Sequence, residues 1–279
     1  MPKKPLFIIL FLLLANAVSW YFVFFGHKDY LQVSFFDVGQ GDAIFIETAQ
    51  GHQILIDGGP DNTVLEKLEE EMGFNDKTID MVILTHPDKD HFGGLVGVLQ
   101  TYHIDNFVWT GEEKDSDNFR KLKEEIGKVN AFNLGTGDSI IAGDIALKVL
   151  NPDYGYADLD SNDTSIVLRL KHFDASFMLT GDLTSKLEVK LIKENDLRSD
   201  ILKLGHHGSK HSSSDIFLKA VSPKYAVAMA GEGNSFGHPN EEVLERLEEN
   251  DIELLRTDRD GDITFYSNGS MILFKREKP

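Results

Sequence analysis

The stretch Thr85-His86-Pro87-Asp88-Lys89-Asp90-His91 constrains this chain more than any other, because four side chains able to bind a metal fall within six residues. It follows Met81-Val82-Ile83-Leu84, an apolar run that reads as a short buried strand, and precedes Phe92-Gly93-Gly94. The donors therefore sit on a loop leaving a sheet. Imidazole suits zinc and its neighbours, while carboxylate also suits harder ions such as manganese. A donor at every second residue suits a tight loop better than a helix, where such side chains point about 200° apart. One His or one Asp here would read as an acidic turn. Together they read as a metal site.

Residues 1–27 read as a separate N-terminal segment, and residues 28–279 as one domain. Lys3 and Lys4 precede Leu6–Phe25, a run of 20 uncharged residues, which is long enough to span a bilayer. The basic flank predicts an N-terminus inside and a domain outside. A cleaved signal peptide is the rival, with Leu6–Leu14 as its apolar core and Ala15-Asn16-Ala17 as its cleavage site. The apolar run continues to Phe25, which favours an anchor. Either way the domain is expected outside the cell, membrane-anchored or secreted.

Charge narrows the partners. Only two of the 28 basic residues lie in the first 27, so the domain carries 26 against 46 acidic residues, a net charge of −20. Such a surface repels polyanions at long range, and no basic stripe for duplex DNA is visible. A phosphate-bearing substrate must be attracted locally. Cysteine is absent, which excludes disulfides, thiolate ligands and a cysteine nucleophile.

The chain beyond Tyr30 mixes strands and helices without a linker rich in Pro or Ser. Leu31, Val33 and Phe35 alternate with Gln32 and Ser34, as in a half-buried strand. A glycine-punctuated turn, Phe36–Asp42, leads into Ala43–Ile46, and Gln53–Ile56 ends in Asp57-Gly58-Gly59. Thr63–Met72 reads as a helix stopped at Gly73, and Phe119, Leu122 and Ile126 mark another stopped near Gly127. The second half repeats this order. Ile145–Leu150, Ser165–Leu170, Phe177–Leu179, Ile201–Leu204 and Tyr225–Ala230 read as strands. Leu187 with Leu191, Ser214–Val221, and Val243 with Leu247 mark helices, and the tail Glu253–Phe274 is strand-rich. Two similar α/β halves in one domain are expected.

Four more strand ends carry acids or histidines. Asp57-Gly58-Gly59 alone is a tight turn, and Asp182 in Thr180-Gly181-Asp182 alone is a turn or cap. His206-His207-Gly208-Ser209 is more specific, since adjacent histidines beside Gly-Ser suit both a metal and a phosphate. His238, before Pro239, is the weakest.

The phrases FFDVGQGDAIFIE, LIDGG, LTHPDKDHFGGL, NDTSIVLRL, FMLTGDL, LKLGHHGSKHSS and RTDRDGDITF resemble the metallo-β-lactamase superfamily, in particular the extracellular hydrolase domain of ComEC-type DNA-internalisation competence proteins. The resemblance runs from about Tyr30 to Phe274 and lacks the multi-helix channel of full-length ComEC proteins. It implies an α/β fold, a four-layer αβ/βα sandwich with the site at one edge of two sheets. It implies two divalent ions, zinc or manganese, with His86, Asp88, Asp90, His91 and Asp182 as ligands and a last ligand in His206-His207-Gly208, where His207 is favoured and His206 and His238 are the alternatives. Asp88 stands where most of the superfamily has a histidine, and the third-motif histidine has no counterpart; Asn162 and Asp163 occupy that neighbourhood. Asp90 and His206 take the catalytic roles, orienting hydroxide and stabilising developing charge. Asn162, Asp163, Ser209 and His238 are placed against substrate, with Asp57, Gly58 and Asp42 as structural neighbours.

The expected activity is an exported phosphodiesterase or nuclease acting through metal-activated hydroxide on DNA or another phosphodiester. An amide, ester or lactone hydrolase is the second expectation, and a non-catalytic surface-binding module the third. A membrane channel partner is left unspecified.

Overall fold

The computed structural model describes residues 4–25, 29–72, 75–153 and 160–278, with side chains of the first helix described for residues 7–18. Gly73, the expected helix stop, and the boundary after residue 27 lie outside the described residues.

Strands β1 (Leu31–Phe35), β2 (Ile44–Glu47), β3 (Gln53–Ile56), β4 (Thr78–Ile83), β5 (His103–Trp109) and β6 (Asn130–Asn133) build one sheet. Strands β7 (Ser139–Ala142), β8 (Ile145–Asn151), β9 (Val167–His172), β10 (Ala175–Leu179), β11 (Ile201–Lys203), β12 (Tyr225–Ala228) and β13 (Glu253–Arg256) build a second. The chain then returns, and β14 (Ile263–Ser267) and β15 (Ile272–Arg276) join the first sheet beside β1. The halves are thus similar but not separate, because the tail of the second completes the sheet of the first. The expectation of two α/β halves is corrected to that extent.

The two sheets face each other through Val33, Ile46, Leu168, Phe177 and Phe265. Helices α2 (Thr63–Met72), α3 (Lys89–Phe92), α4 (Leu95–Thr101) and α5 (Asp117–Ile126) follow the segment α1 (Lys4–Phe25). The outer face of the first sheet packs on α2, α4 and α5 through Val64, Leu68, Val98, Phe119 and Leu122. Helices α6 (Ser185–Glu194), α7 (Asp215–Val221) and α8 (Glu241–Glu249) cover the second sheet through Leu191, Phe217, Leu218, Val243 and Leu247. A last turn, α9 (Thr257–Asp260), precedes β14. The order helix, sheet, sheet, helix is the expected four-layer sandwich.

Alternation misread β1. All five of its residues are buried, because Gln32 reaches Glu71 on α2 and the Ser34 hydroxyl meets Thr264 Oγ1 at 3.1 Å. The second face of β1 is covered, not solvated.

The apolar side chains Phe7–Leu14 of α1 are exposed. Among the described residues no helix is long and apolar enough to cross a membrane, so the expected membrane span finds no support in the structure.

Candidate metal centre

Both sheets end at the same edge, and the ligand loop leaves β4 there. His86 lies in a bend after β4, and Asp88, on extended backbone (φ −86, ψ 145), opens the single turn α3 that carries Asp90 and His91. The loop reading therefore holds for the first two donors and gives way to a helical turn for the last two. Stitching from other strand ends fixes this turn. Asp42 N–H donates to the Asp90 carbonyl (3.2 Å), and Gly58 N–H donates to that of His91 (2.7 Å). At Gly41 (φ +147) a Cβ would lie 2.2 Å from the Asp90 oxygen, so only glycine lets the Phe36–Asp42 turn approach so closely.

Asp182, buried after β10, is the hub of the site. His91 Nε2 lies 3.4 Å from its Oδ1, while His207 Nε2 and His86 Nε2 lie 3.4 and 4.0 Å from its Oδ2. The opposite nitrogen of each ring is anchored. His91 Nδ1–H donates to Asp57 Oδ2 (2.8 Å) and His207 Nδ1–H to the Met229 carbonyl (2.9 Å). Thr85 Oγ1 gives its proton to Asp57, which leaves it to accept from His86 Nδ1 (3.1 Å). All three rings thus turn Nε2 inward, and loss of the proton there leaves the tautomer that metal ligation needs.

Two of those atoms, His86 Nε2 and His91 Nε2, are buried with no hydrogen-bond partner among the described residues. Asp90 Oδ2 lies 3.2 Å from His207 Nε2, and Asp88 Oδ2 lies 3.9 Å from His86 Nε2. The donors form two lobes sharing Asp182: His86 with Asp88, and Asp90 with His91 and His207. Orphaned inward nitrogens facing carboxylates fit divalent cations.

Electrostatics point the same way. Burial works to neutralise His207, yet Asp182 and Asp42 hold it protonated, with its pKa raised to about 9. His91 is held well above the usual histidine range against the same burial by Asp182 and Asp57. Burial and neighbouring His91 push His86 down to about 3. A site that retains protons at buried imidazoles is calling for positive charge.

Asp42 belongs to a different layer. Buried Asp42, His91, Asp182 and His207 offer ligand atoms all within 4.8 Å of one another. Asp42, however, meets the Nδ1 side of His207 (3.2 Å) and His91 (3.8 Å), behind the rings. Its other partner is Lys203, a wholly buried cation that also donates to the Gly181 carbonyl (2.7 Å) and lies 3.5 Å from Asp182 Oδ1. Asp42 and Asp57 are the carboxylates that face the Nδ1 side of these rings. Lys203 was not anticipated; its signal is a lysine inside the apolar strand Ile201–Leu204.

His206 and His207 are consecutive left-handed residues (φ 50 and φ 57), a strained pair that turns the two rings in different directions. His207 is sealed in the cluster, while His206 sits at the rim with 32% of its side chain exposed and Nε2 3.8 Å from Asp182 Oδ2. Gly208 (φ +86) closes the turn against Pro239. Ser209 is buried, its N–H donating to the His206 carbonyl (2.8 Å), so it supports the turn. His238 packs on His206, ring centroids 5.5 Å apart. Burial, with His206 and His207 beside it, lowers its pKa to about 4, so it is neutral at pH 7.

The segment lacking a third histidine offers hydroxyls in its place. Ser161 Oγ donates to Asp88 Oδ1 (2.9 Å), which also meets Lys114 Nζ (2.6 Å), and Ser165 Oγ lies 3.4 Å from His86 Nδ1. Asn162 lies 3.3 Å from His206 Nδ1. Asp163 is drawn elsewhere: its carboxylate accepts from the Thr184 hydroxyl and N–H, so a substrate role for it is corrected to a structural one.

The sequence model of the family described as Metallo-beta-lactamase superfamily matches residues 36–232. The chain is 31% identical over 260 residues to ComE operon protein 3 of Bacillus subtilis, covering 85% of this chain and 33% of that protein. It is 32% identical over 236 residues to Competence protein ComA of Neisseria gonorrhoeae, covering 84% and 32%. The chain thus spans about a third of the length of these relatives. A crystal structure of a diphosphatase from the PhnP family shares the fold at a TM-score of 0.51 and 17% identity, covering 85% of this chain and 98% of that one.

Proposed function

The chain belongs to the metallo-β-lactamase superfamily and is related to ComEC-type competence proteins, and on that premise we propose that it is an exported metal-dependent phosphodiesterase acting on nucleic acid. The fold is one of metal-dependent hydrolases. The observation that carries the finer reading is the two-lobed donor set around Asp182, with unpartnered Nε2 atoms of His86 and His91 turned inward. Kinship with competence proteins turns that reading toward a phosphodiester rather than an amide or lactone.

Two divalent ions fit the lobes and, when bound, supply Lewis acidity and a water acidic enough to attack near neutral pH. The chain's own groups do the rest. Asp182 joins the lobes, Asp57 and Met229 lock the ring orientations of His91 and His207, and Asp90 orients the nucleophile. His206, at the rim, meets the developing negative charge. His238 is neutral and orients the leaving group rather than protonating it. Asp88 in place of a nitrogen donor makes its lobe harder and suits manganese as well as zinc.

The test is a panel on chelator-stripped protein restored with manganese or zinc: bis-p-nitrophenyl phosphate, single-stranded DNA and nitrocefin. Phosphodiester hydrolysis, with manganese restoring at least as much as zinc, is expected. Turnover of nitrocefin alone would overturn the reading, and restoration by zinc alone would overturn the argument from ligand hardness.

Export is part of the proposal. It is supported by Lys3-Lys4 ahead of the uncharged run and by the exposed side chains of Phe7–Leu14. Protease added to intact cells should digest the domain; protection would place it inside.

A further inference from the structure

An aromatic ring stands in solvent at the mouth of the metal centre. Phe236 is 65% exposed and lies against His238, with centroids 5.6 Å apart and planes 21° from parallel. His238 in turn touches both histidines of the paired motif, at 5.5 Å from His206 and 6.3 Å from His207. A continuous row of rings therefore leads from the ligands outward, and Phe236 ends it.

The loop under this ring is tightly held. Asn234 brackets it, its Oδ1 accepting from His238 N–H (2.9 Å) and its Nδ2 donating to the His238 carbonyl (2.7 Å). Asn240 Nδ2 donates to the carbonyls of Phe236 (3.4 Å) and Gly237 (2.9 Å), while its Oδ1 accepts from Lys210 N–H (2.9 Å). Gly231 packs so closely on the Phe36–Asp42 turn that a Cβ there would lie 2.7 Å from Gln40 N. The chain thus fixes a large apolar ring where water, not protein, covers it, and gives up the burial that would stabilise it. Among the described residues of the domain, Phe173 is a comparably exposed ring, but it lies against the Gly269 turn, away from the ligands.

We propose that Phe236 is a stacking platform for the nucleobase next to the phosphate held at the metal centre. The substrate is then a nucleotidyl phosphodiester with an unpaired base, as in single-stranded nucleic acid. This rests on the phosphodiesterase reading and adds a base-binding subsite to it. Every base has a π-face, so the platform selects for a base without selecting which one. It also gives a strongly acidic protein an uncharged handle on a polyanion.

The test compares the manganese-loaded full chain with Phe236→Ala, Phe236→Leu and Phe236→Trp on two esters, thymidine 5′-(p-nitrophenyl phosphate) and methyl p-nitrophenyl phosphate. Phe236→Ala should lower kcat/KM about tenfold on the thymidine ester, mostly through KM, and leave the methyl ester unchanged. Trp should restore the loss and Leu should not. Equal losses on both esters, no loss on either, or rescue by Leu would overturn the platform. If the unaltered enzyme cleaves neither ester, the phosphodiesterase reading has failed. The platform is then judged by binding: a dithymidine phosphorothioate should quench Phe236→Trp fluorescence, and absence of quenching would sink it.

Discussion

At the scale of single residues, Lys203 and Asp42 set the charge beneath the ligands. Both are buried, and each faces a ligand: Lys203 Nζ meets Asp182 Oδ1, and Asp42 Oδ1 meets His207 Nδ1. Removing one member of a buried pair typically costs about 3–5 kcal/mol, because the other charge is stranded. Lys203→Met and Asp42→Asn should each lower metal-free stability by that order, and the double variant by less than their sum, as read by urea unfolding. Their effects on metal affinity should have opposite signs. Lys203→Met removes a cation beside Asp182 and should tighten binding, while Asp42→Asn leaves that cation unbalanced and should weaken it, by about tenfold. Weakening by both would mean that the pair merely holds shape. The paired histidines divide just as sharply. His207→Ala and Asp182→Ala should lose metal together with activity. His206→Ala should keep metal and lower turnover about 10²- to 10³-fold, as when a charge-stabilising donor is deleted. Metal loss from His206→Ala with retention by His207→Ala would exchange their roles. The candidate donors were legible in the sequence because they cluster in motifs. Lys203, Ser161 and Ser165 were not, since a buried cation or hydroxyl acts through partners far away in sequence.

At the scale of elements, a helix that carries no ligand holds the segment after the histidine turn, where Ser213 Oγ accepts from Gly205 N–H (3.1 Å). Glu188 of α6 is buried, and its carboxylate accepts from the N–H groups of Ser213 (2.6 Å) and Ser214 (3.0 Å), where α7 begins. Those N–H groups have no helical partner of their own. Glu188→Ala should cost about 2–3 kcal/mol through two stranded donors, and Glu188→Gln less, since an amide oxygen still accepts one of them. Thermal melts of the three proteins check this; equal melting would show that water satisfies the turn. Most elements with strong periodicity, such as α2, α5 and α8, stand where the pattern puts them. Strands β5 to β7 and helix α4 escaped it. All four residues of β6 are exposed, and its sequence Asn-Ala-Phe-Asn shows no alternation of buried and solvated positions to mark a strand at the edge of a sheet. Strand β7 is only four residues long and is defined by its antiparallel pairing with β8.

At the scale of the whole molecule, the metal centre is a cross-link. His86, Asp88, Asp90 and His91 hang from the first sheet, and Asp182 and His207 from the second. In the metal-free protein five carboxylates, those of Asp42, Asp57, Asp88, Asp90 and Asp182, crowd this edge, with Lys203 and protonated His91 and His207 among the opposing charges. Metal binding therefore favours the folded state alone, because the unfolded chain scatters these donors over more than 120 positions. The gain follows RT ln(1 + [L]/Kd), about 4 kcal/mol when free metal is a thousandfold above Kd. For a domain of this size each kcal/mol moves the midpoint by about 2–4 °C, so saturating manganese should raise Tm by about 8–16 °C over chelated protein. Calorimetry with and without chelator measures it directly. The comparison that isolates the cross-link is Asp182→Asn, which keeps the shape of the hub and removes its charge: its Tm should respond little to manganese. An equal rise in the variant would show that metal binds somewhere other than between the sheets.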